Sequence, residues 1–303
     1  MADPGIERPV LNVVGCGKLG STLARLLAQS GAATLGGLYS RTPGNAENAR
    51  QFAAAGTVCA TLAELPPAGL WLLSVADDAI AEIARQLARL FPDWHATTVF
   101  HASGLHSSAL LAPLQSQGAI TASLHPVHSF GHREKSLVTF AGSCCTLEGD
   151  PAATAPLSRL FAPLQVRLLS IDAEAKPLYH AATAMASNYT VSLMAASLSL
   201  LEKAGIDEVD ARALLGPLAS QTAANVFARG PAAALTGPIA RGDRETVARH
   251  IAAITAAAPE TLELYRSLGK ATLDLASRGG KLAPSQACEL AAVLAASNGI
   301  QDN

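Results

Sequence analysis

Aromatic residues are scarce, at 4% of the 303 residues, and charged residues make up only 15%. With a formal net charge of -2, the chain lacks the cationic surplus that a nucleic acid or an anionic membrane requires of its main partner. Its five cysteines contain no C-x-x-C pair, and their odd number speaks against a disulfide framework. Cys144 and Cys145 are adjacent, so a strand would turn them to opposite faces; reduced, buried thiols are expected. No apolar run approaches the ~20 residues that span a bilayer. The opening stretch, MADPGIERP, lacks the apolar core of a secretory leader, so a cytoplasmic location is expected. Tandem repeats and low-complexity linkers are also missing.

Hydrophobic residues make up 50% of the chain, enough for two domains with cores. The first part alternates strand and helix patterns. Strands are expected over Val10 to Val14, Leu35 to Tyr39, Val58 to Ala60, Leu70 to Val75, Thr97 to Phe100, Ile120 to Leu124, Phe140 to Leu147 and Val166 to Ile171. Helices fall between most of them, over Lys18 to Ser30, Asn45 to Ala54, a stretch capped by Asp77-Asp78 and ending near Leu90, Ser107 to Gln115, and from about Ala152. Such alternation predicts an α/β fold, a doubly wound parallel Rossmann sheet, over residues 1–172. Beyond Asp172 the strand signal disappears. Alanine- and leucine-rich helical segments follow, broken at Gly205, Gly230-Pro231, Gly237-Pro238, Pro259 and Gly279-Gly280. Residues 173–303 thus read as an all-helical second domain. The apolar surface of its long helices suits burial against a second subunit, and one compact monomeric bundle is the alternative.

The strongest local signal is VLNVVGCGKLG, residues 10 to 20, in which Gly15, Gly17 and Gly20 stand at G-x-G-x-x-G spacing between a strand and a helix. The first glycine permits the turn, the second lets a diphosphate approach the backbone, and the third lets the helix pack on the sheet. The helix N-terminus adds unpaired N–H groups and a favourable dipole for the phosphates. The second strand ends in Ser40-Arg41-Thr42, where an NAD-binding unit would place an acid on the ribose. A guanidinium between two hydroxyls instead suits a 2′-phosphate, so NADP is the expected cofactor. The candidate cofactor contacts are Gly15, Gly17, Leu19, Gly20, Ser40, Arg41, Thr42, Ser74, Val75, Asp77 and Ser103.

Ligands of such sheets bind at the carboxyl ends of the strands. Two successive strands finish in HASG, residues 101 to 104, and LHPVHSF, residues 124 to 130. Hydride transfer to a carbonyl acid requires a proton donor and groups that hold the carboxylate, for which His125 and Ser129 are candidates. In KPLYHAATAMASNY, Lys176, His180 and Asn188 fall along one helical face. His180 and Asn188 join the catalytic candidates, while Lys176 in the first turn also reads as a solvated helix end. In the loop LTGPIARGD, Thr236 and Arg241 suit a substrate carboxylate, and Arg241 with Asp243 equally suits a turn lock and a helix cap. The histidines around position 125 lack the thiol or carboxylate partners of a metal set, so no metal site is expected.

GCGKLG, SRT, HASG, LHPVHSF, YHAATAMASNY and TGPIARGD together resemble the Rossmann-like proteins with a DUF2520 C-terminal domain, over nearly the whole chain. That family resembles the broader group of ketopantoate reductases, pyrroline-5-carboxylate reductases, prephenate dehydrogenases and 6-phosphogluconate dehydrogenases. The resemblance implies an NADP-dependent oxidoreductase acting on a small carbonyl or imine acid, dimeric through its helical domain. His125-Pro126 is similar to the His-Pro of prephenate dehydrogenases, and Ser129 to the serine of the 2-hydroxyacid branch. Counted back from Gly205, His180 falls near the position of a catalytic lysine in ketopantoate reductases. Ala184 then takes the first asparagine position, and Asn188 resembles a second asparagine. Reduction of ketopantoate, reduction of a cyclic imine, and NADP(H) sensing without turnover are the functions this resemblance leaves open.

Overall fold

The computed structural model describes residues 8–296, which divide into two units after Asn188. In the first unit the apolar runs become strands β1 (Val10–Val14), β2 (Thr34–Tyr39), β3 (Thr57–Cys59), β4 (Leu70–Leu73), β5 (Thr98–His101), β6 (Ile120–Val127), β7 (Cys144–Gly149) and β8 (Arg167–Ser170). Helices α1 (Lys18–Gln29), α2 (Pro43–Ala53), α3 (Ile80–Leu90), α4 (Ala112–Gln115), α5 (Arg133–Thr139), α6 (Pro151–Phe161) and α7 (Lys176–Ala184) complete it. The eight strands form one sheet in the order β3-β2-β1-β4-β5-β6-β7-β8. Its first six strands are parallel in the doubly wound order, which reverses between β1 and β4. Apolar layers cover both faces, one around Leu23, Leu27 and Phe100, the other around Leu73, Ile80 and Leu87.

The sheet departs from the expected parallel order at one place: β7 runs antiparallel to β6, and β8 follows β7. The reason lies in the connection. The seven residues of α5 span only ~10 Å, too short to carry the chain back along the eight-residue β6, which extends over ~26 Å. That helix was not foreseen, and Phe140, expected to open β7, is instead a buried anchor beyond its C-terminus. Asp77 and Asp78 do not cap α3 with their side chains; they form a turn of 3-10 helix that runs into it. On the α3 side of the sheet, Trp71, Phe91 and Trp94 pack edge to face, with the two indoles 5.0 Å apart. Each indole N–H donates to a backbone carbonyl, of Ala68 at 3.0 Å and of Phe91 at 2.8 Å, so the large rings are buried without an orphaned donor.

The second unit holds α8 (Thr190–Lys203), α9 (Glu208–Arg229), α10 (Pro231–Ala234), α11 (Arg244–Ala257), α12 (Leu262–Arg278) and α13 (Pro284–Ala295). Asp207 and Asp243 cap α9 and α11 by accepting first-turn N–H groups, Val209 and Asp210 in one case and Thr246 in the other. Its core gathers Ile239, Val247, Leu273, Leu290 and Leu294. By contrast, only Ala211 is buried on the 22-residue α9, and Phe227 there is 87% exposed. One helical run, Ala173–Lys203, is long and apolar enough to cross a bilayer by length and composition, against the sequence expectation. The polar residues Lys176, Tyr179 and His180 near its start are committed to the first unit, as described next.

Candidate active site

The glycine turn sits where the strand order reverses. Gly15 leaves β1 with φ +100°, donates its N–H to the Tyr39 carbonyl at 2.8 Å, and lies so close to β4 that a Cβ would fall 2.3 Å from the Ser74 carbonyl oxygen. At Gly20 a Cβ would fall 2.1 Å from the Gly15 carbonyl oxygen. Both glycines are therefore demanded by the fold itself. Gly17 is different: a Cβ there would meet nothing within 4 Å, and its φ of -69° is open to any residue. The absent side chain leaves room above the N-terminus of α1, whose first N–H groups have no side-chain cap.

This turn forms one wall of a cavity of about 480 Å³. Ser40, Arg41, Thr42 and Asn45 form a second wall, and Ser74, Val75, Asp78 and Ile83 a third. The shape and donors suit a dinucleotide: backbone N–H groups for a diphosphate and an exposed guanidinium between two hydroxyls for a further phosphate. Cys16, although inside the turn, is buried, and burial pushes its thiol up to about 12, so it stays protonated and unreactive.

Beyond β4, the ends of β5 and β6 are tied by a buried polar knot. The Lys176 side chain is 0% exposed; its Nζ donates to the Ser103 carbonyl at 3.1 Å and to Ser123 Oγ at 2.9 Å. Ser123 Oγ in turn donates to the Ser103 carbonyl at 3.1 Å. Burial lowers the lysine pKa, while the charges of Glu148 and Asp77 work against that shift. His101 is also buried: Nε2–H donates to the Ser107 carbonyl at 3.0 Å, and Nδ1 accepts from Ser103 N–H at 3.2 Å. Both partners define the neutral tautomer, and burial brings its pKa down to about 4. His101 thus shapes the strand end rather than moving protons.

His125, Ser129, His180 and Asn188, far apart in sequence, line a second cavity of about 310 Å³. The His125 ring is 6.2 Å from that of His180, and its Nδ1 lies 2.6 Å from the Tyr179 hydroxyl. In the tautomer whose Nδ1 accepts from the phenol, Nε2 carries the N–H. Burial, then the neighbouring Lys176 and His180 charges, hold His125 down at about 4. Gly104 separates the two rings from the strand: a Cβ there would fall 2.8 Å from His180 Cδ2 and 2.9 Å from His125 Cε1. Below them α7 gives way to a π turn, Met185–Tyr189, and the widened turn sets both Ser187 and Asn188 on the cavity wall. His128 faces the cavity too, but its two nitrogens contact Thr139 at 3.2 Å and Ser143 at 3.3 Å between Phe130 and Phe140.

Of the candidate cofactor residues, Gly15, Gly17, Ser40, Arg41, Thr42, Ser74 and Val75 line the first cavity. Gly20 packs behind it, Leu19 joins the apolar layer beneath, and Ser103 turns into the lysine knot. Asp78, not Asp77, faces the cavity; the Asp77 charge is felt at His101, His125 and Lys176. Thr236 and Arg241 are exposed in the second unit, and Asp243 holds Thr246 as a cap, its structural alternative. Asn45, Asp78, Gly104, Tyr179 and Ser187 were missed. The i,i+3 spacing of Lys176 and Tyr179 and the glycine after HAS were the signals available for two of these residues, Tyr179 and Gly104. Among the described residues no group of three or more His, Cys, Asp or Glu could hold a metal ion.

No curated protein matches the sequence. Among solved structures, protein TM1727 from Thermotoga maritima is 26% identical, with a TM-score of 0.69 over 88% of this chain and 98% of its own. BF3122 from Bacteroides fragilis, assigned as an NADP oxidoreductase, is 23% identical, with a TM-score of 0.74 over 89% and 99%. A reductive aminase from Aspergillus terreus, solved with NADPH and ethyl-5-oxohexanoate, shares 15% identity and a TM-score of 0.59 over 95% and 93%. The last two likenesses establish the fold. A Rossmann-like domain model matches residues 3–126, and the model of DUF2520, a domain of unknown function, matches residues 143–272. The chain thus carries a match to a Rossmann-like domain followed by a match to DUF2520.

Proposed function

We propose that this chain is an NADP-dependent oxidoreductase that reduces a small carbonyl acid by hydride transfer, with ketopantoate the first substrate to test. One observation carries the reading: a dinucleotide-shaped cavity and a cavity whose lining includes His125, His180, Ser129 and Asn188 lie along the carboxyl ends of one sheet. The NADP oxidoreductase assignment of BF3122 and the NADPH bound to the fungal reductive aminase support the choice of coenzyme. NADPH, when bound, supplies the hydride.

The remaining work falls to side chains. A carbonyl oxygen that gains negative charge must receive a proton. His125, neutral down to about pH 4, is not an imidazolium at neutral pH; it offers Nε2–H as a hydrogen bond, oriented by Tyr179. His180 is then the proton donor. Ser129 and Asn188 hold the carbonyl or the carboxylate, with Ser187 beside them. A second reading, reduction of a cyclic imine, is favoured by the same neutral His125, because an iminium carbon accepts hydride without a further proton.

Purified protein should oxidise NADPH in preference to NADH when screened against 2-keto acids and cyclic imines. Ketopantoate turnover with pyrroline-5-carboxylate inert supports the first reading, and the reverse result the second. His180→Ala is expected to lower kcat for a keto acid by about 100-fold or more, a typical loss for a proton donor. Tight NADPH binding with no oxidation across the panel would overturn the enzyme reading in favour of a sensor.

We also propose a homodimer formed through the helical unit. The exposed Val209, Leu214, Leu218 and Phe227 give α9 apolar surface that a monomer leaves wet. Sedimentation should report twice the chain mass, and a monomer at micromolar concentration would refute the pairing.

A further inference from the structure

Arg133 is the first residue of α5, yet its side chain reaches the glycine turn. Its Nη2 donates to the Cys16 carbonyl across a long 3.5 Å, and its guanidinium lies 6.0 Å from the Phe52 ring centroid. Arg25 lies 4.7 Å from the centroid of the same ring, so Phe52 is bracketed by two cations. Among the described residues Arg133 has no carboxylate at ion-pair distance, although Arg50, Arg85, Arg212 and Arg249 each have one. A guanidinium has five donors, and a single long contact to a carbonyl leaves most of them for another acceptor. The acceptor geometry it matches best is a phosphate, which it can grip with two parallel bonds.

We propose that Arg133 is a second anchor for the coenzyme, its guanidinium binding the diphosphate over the Gly15-Cys16-Gly17 turn. This inference rests on the dinucleotide reading above and extends it to an element, α5, that the glycine motif does not contain. Arg41 and Arg133 then divide the work: the first addresses the 2′-phosphate that distinguishes NADPH, the second the diphosphate that NADPH and NADH share. Phe52 and the Cys16 carbonyl hold the Arg133 side chain in place before the ligand arrives, which reduces the entropy lost on binding.

Titration of the full chain with NADPH, NADH and 2′-AMP separates these roles. Arg133→Gln is expected to weaken NADPH and NADH alike by about 10- to 100-fold, the range for losing a charge-assisted bond. Its affinity for 2′-AMP, which has no diphosphate, should not change. Arg41→Ala should instead weaken NADPH and 2′-AMP and leave NADH as it was. Arg133→Lys keeps the charge without the fork and should fall between wild type and Arg133→Gln; it serves if the glutamine variant does not fold. Equal coenzyme affinity in wild type and both Arg133 variants, with a lower Tm, would make Arg133 a structural clip between α5 and the turn. Wild-type protein that binds 2′-AMP and neither coenzyme would overturn the dinucleotide reading itself.

Discussion

Gly17→Ala protein should fold as the wild type does and lose most of its affinity for NADPH, whereas Gly15→Ala protein should lose its fold. The two glycines stand two residues apart in one motif, and their surroundings are opposite. At Gly15 the new methyl would sit 2.3 Å from the Ser74 carbonyl oxygen on a backbone with φ +100°. Strain of that backbone costs about 1–3 kcal/mol for a non-glycine residue, before the clash with β4 is counted. A domain stable by only about 5–15 kcal/mol tolerates little of this. At Gly17 the methyl meets no protein atom within 4 Å, so the thermal midpoint should hold. That space is where a diphosphate would approach the N-terminus of α1, and a methyl group there should raise the Kd for NADPH about 100-fold. Circular dichroism and coenzyme titration of the two variants decide the matter. A Gly17→Ala protein that binds NADPH as tightly as wild type would remove the diphosphate from the turn.

Acidification should destabilise the first unit well before its exposed carboxylates matter. His101 and His125 ordinarily take a proton at 6.5, and in the fold both are held at about 4. Between those values the unfolded chain binds more protons than the folded one, so stability is complete above pH 6.5 and falls as the pH drops toward 4. A depression from 6.5 to about 4 corresponds to ~3 kcal/mol for each ring. Both contributions are lost over the same pH range. Urea melts at pH 7 and pH 4.5 should show the loss, and the imidazole resonances of both residues should stay neutral through pH 5. Lys176→Met removes a cation from beside His125 and should move its midpoint upward. Resonances that titrate near 6.5 in the wild type would refute the buried, neutral assignment.

The parts of this protein that were legible in its sequence are those governed by local rules. The glycine turn, the strand that ends at Ser40-Arg41-Thr42 and the helical second half follow from spacing and periodicity, and the structure places them accordingly. His125, Ser129, His180 and Asn188 share one wall of space, as their positions at a strand end and on one helix face suggest. Lys176 was the least legible residue. Its place in a first turn reads as solvent, and only partners 73 and 53 residues away reveal a buried ammonium. The π turn at Met185–Tyr189 escaped notice because no residue type specifies it. The reversal of β7 depends on the length of a helix too short to register as a periodic pattern.

Both tryptophans of the chain belong to the cluster beside α3 in the first unit, 5.0 Å from each other. Intrinsic indole emission therefore reports on that unit alone, and the helical unit is optically silent at those wavelengths. A chain whose helices had melted while its sheet stayed intact would still glow like the native protein.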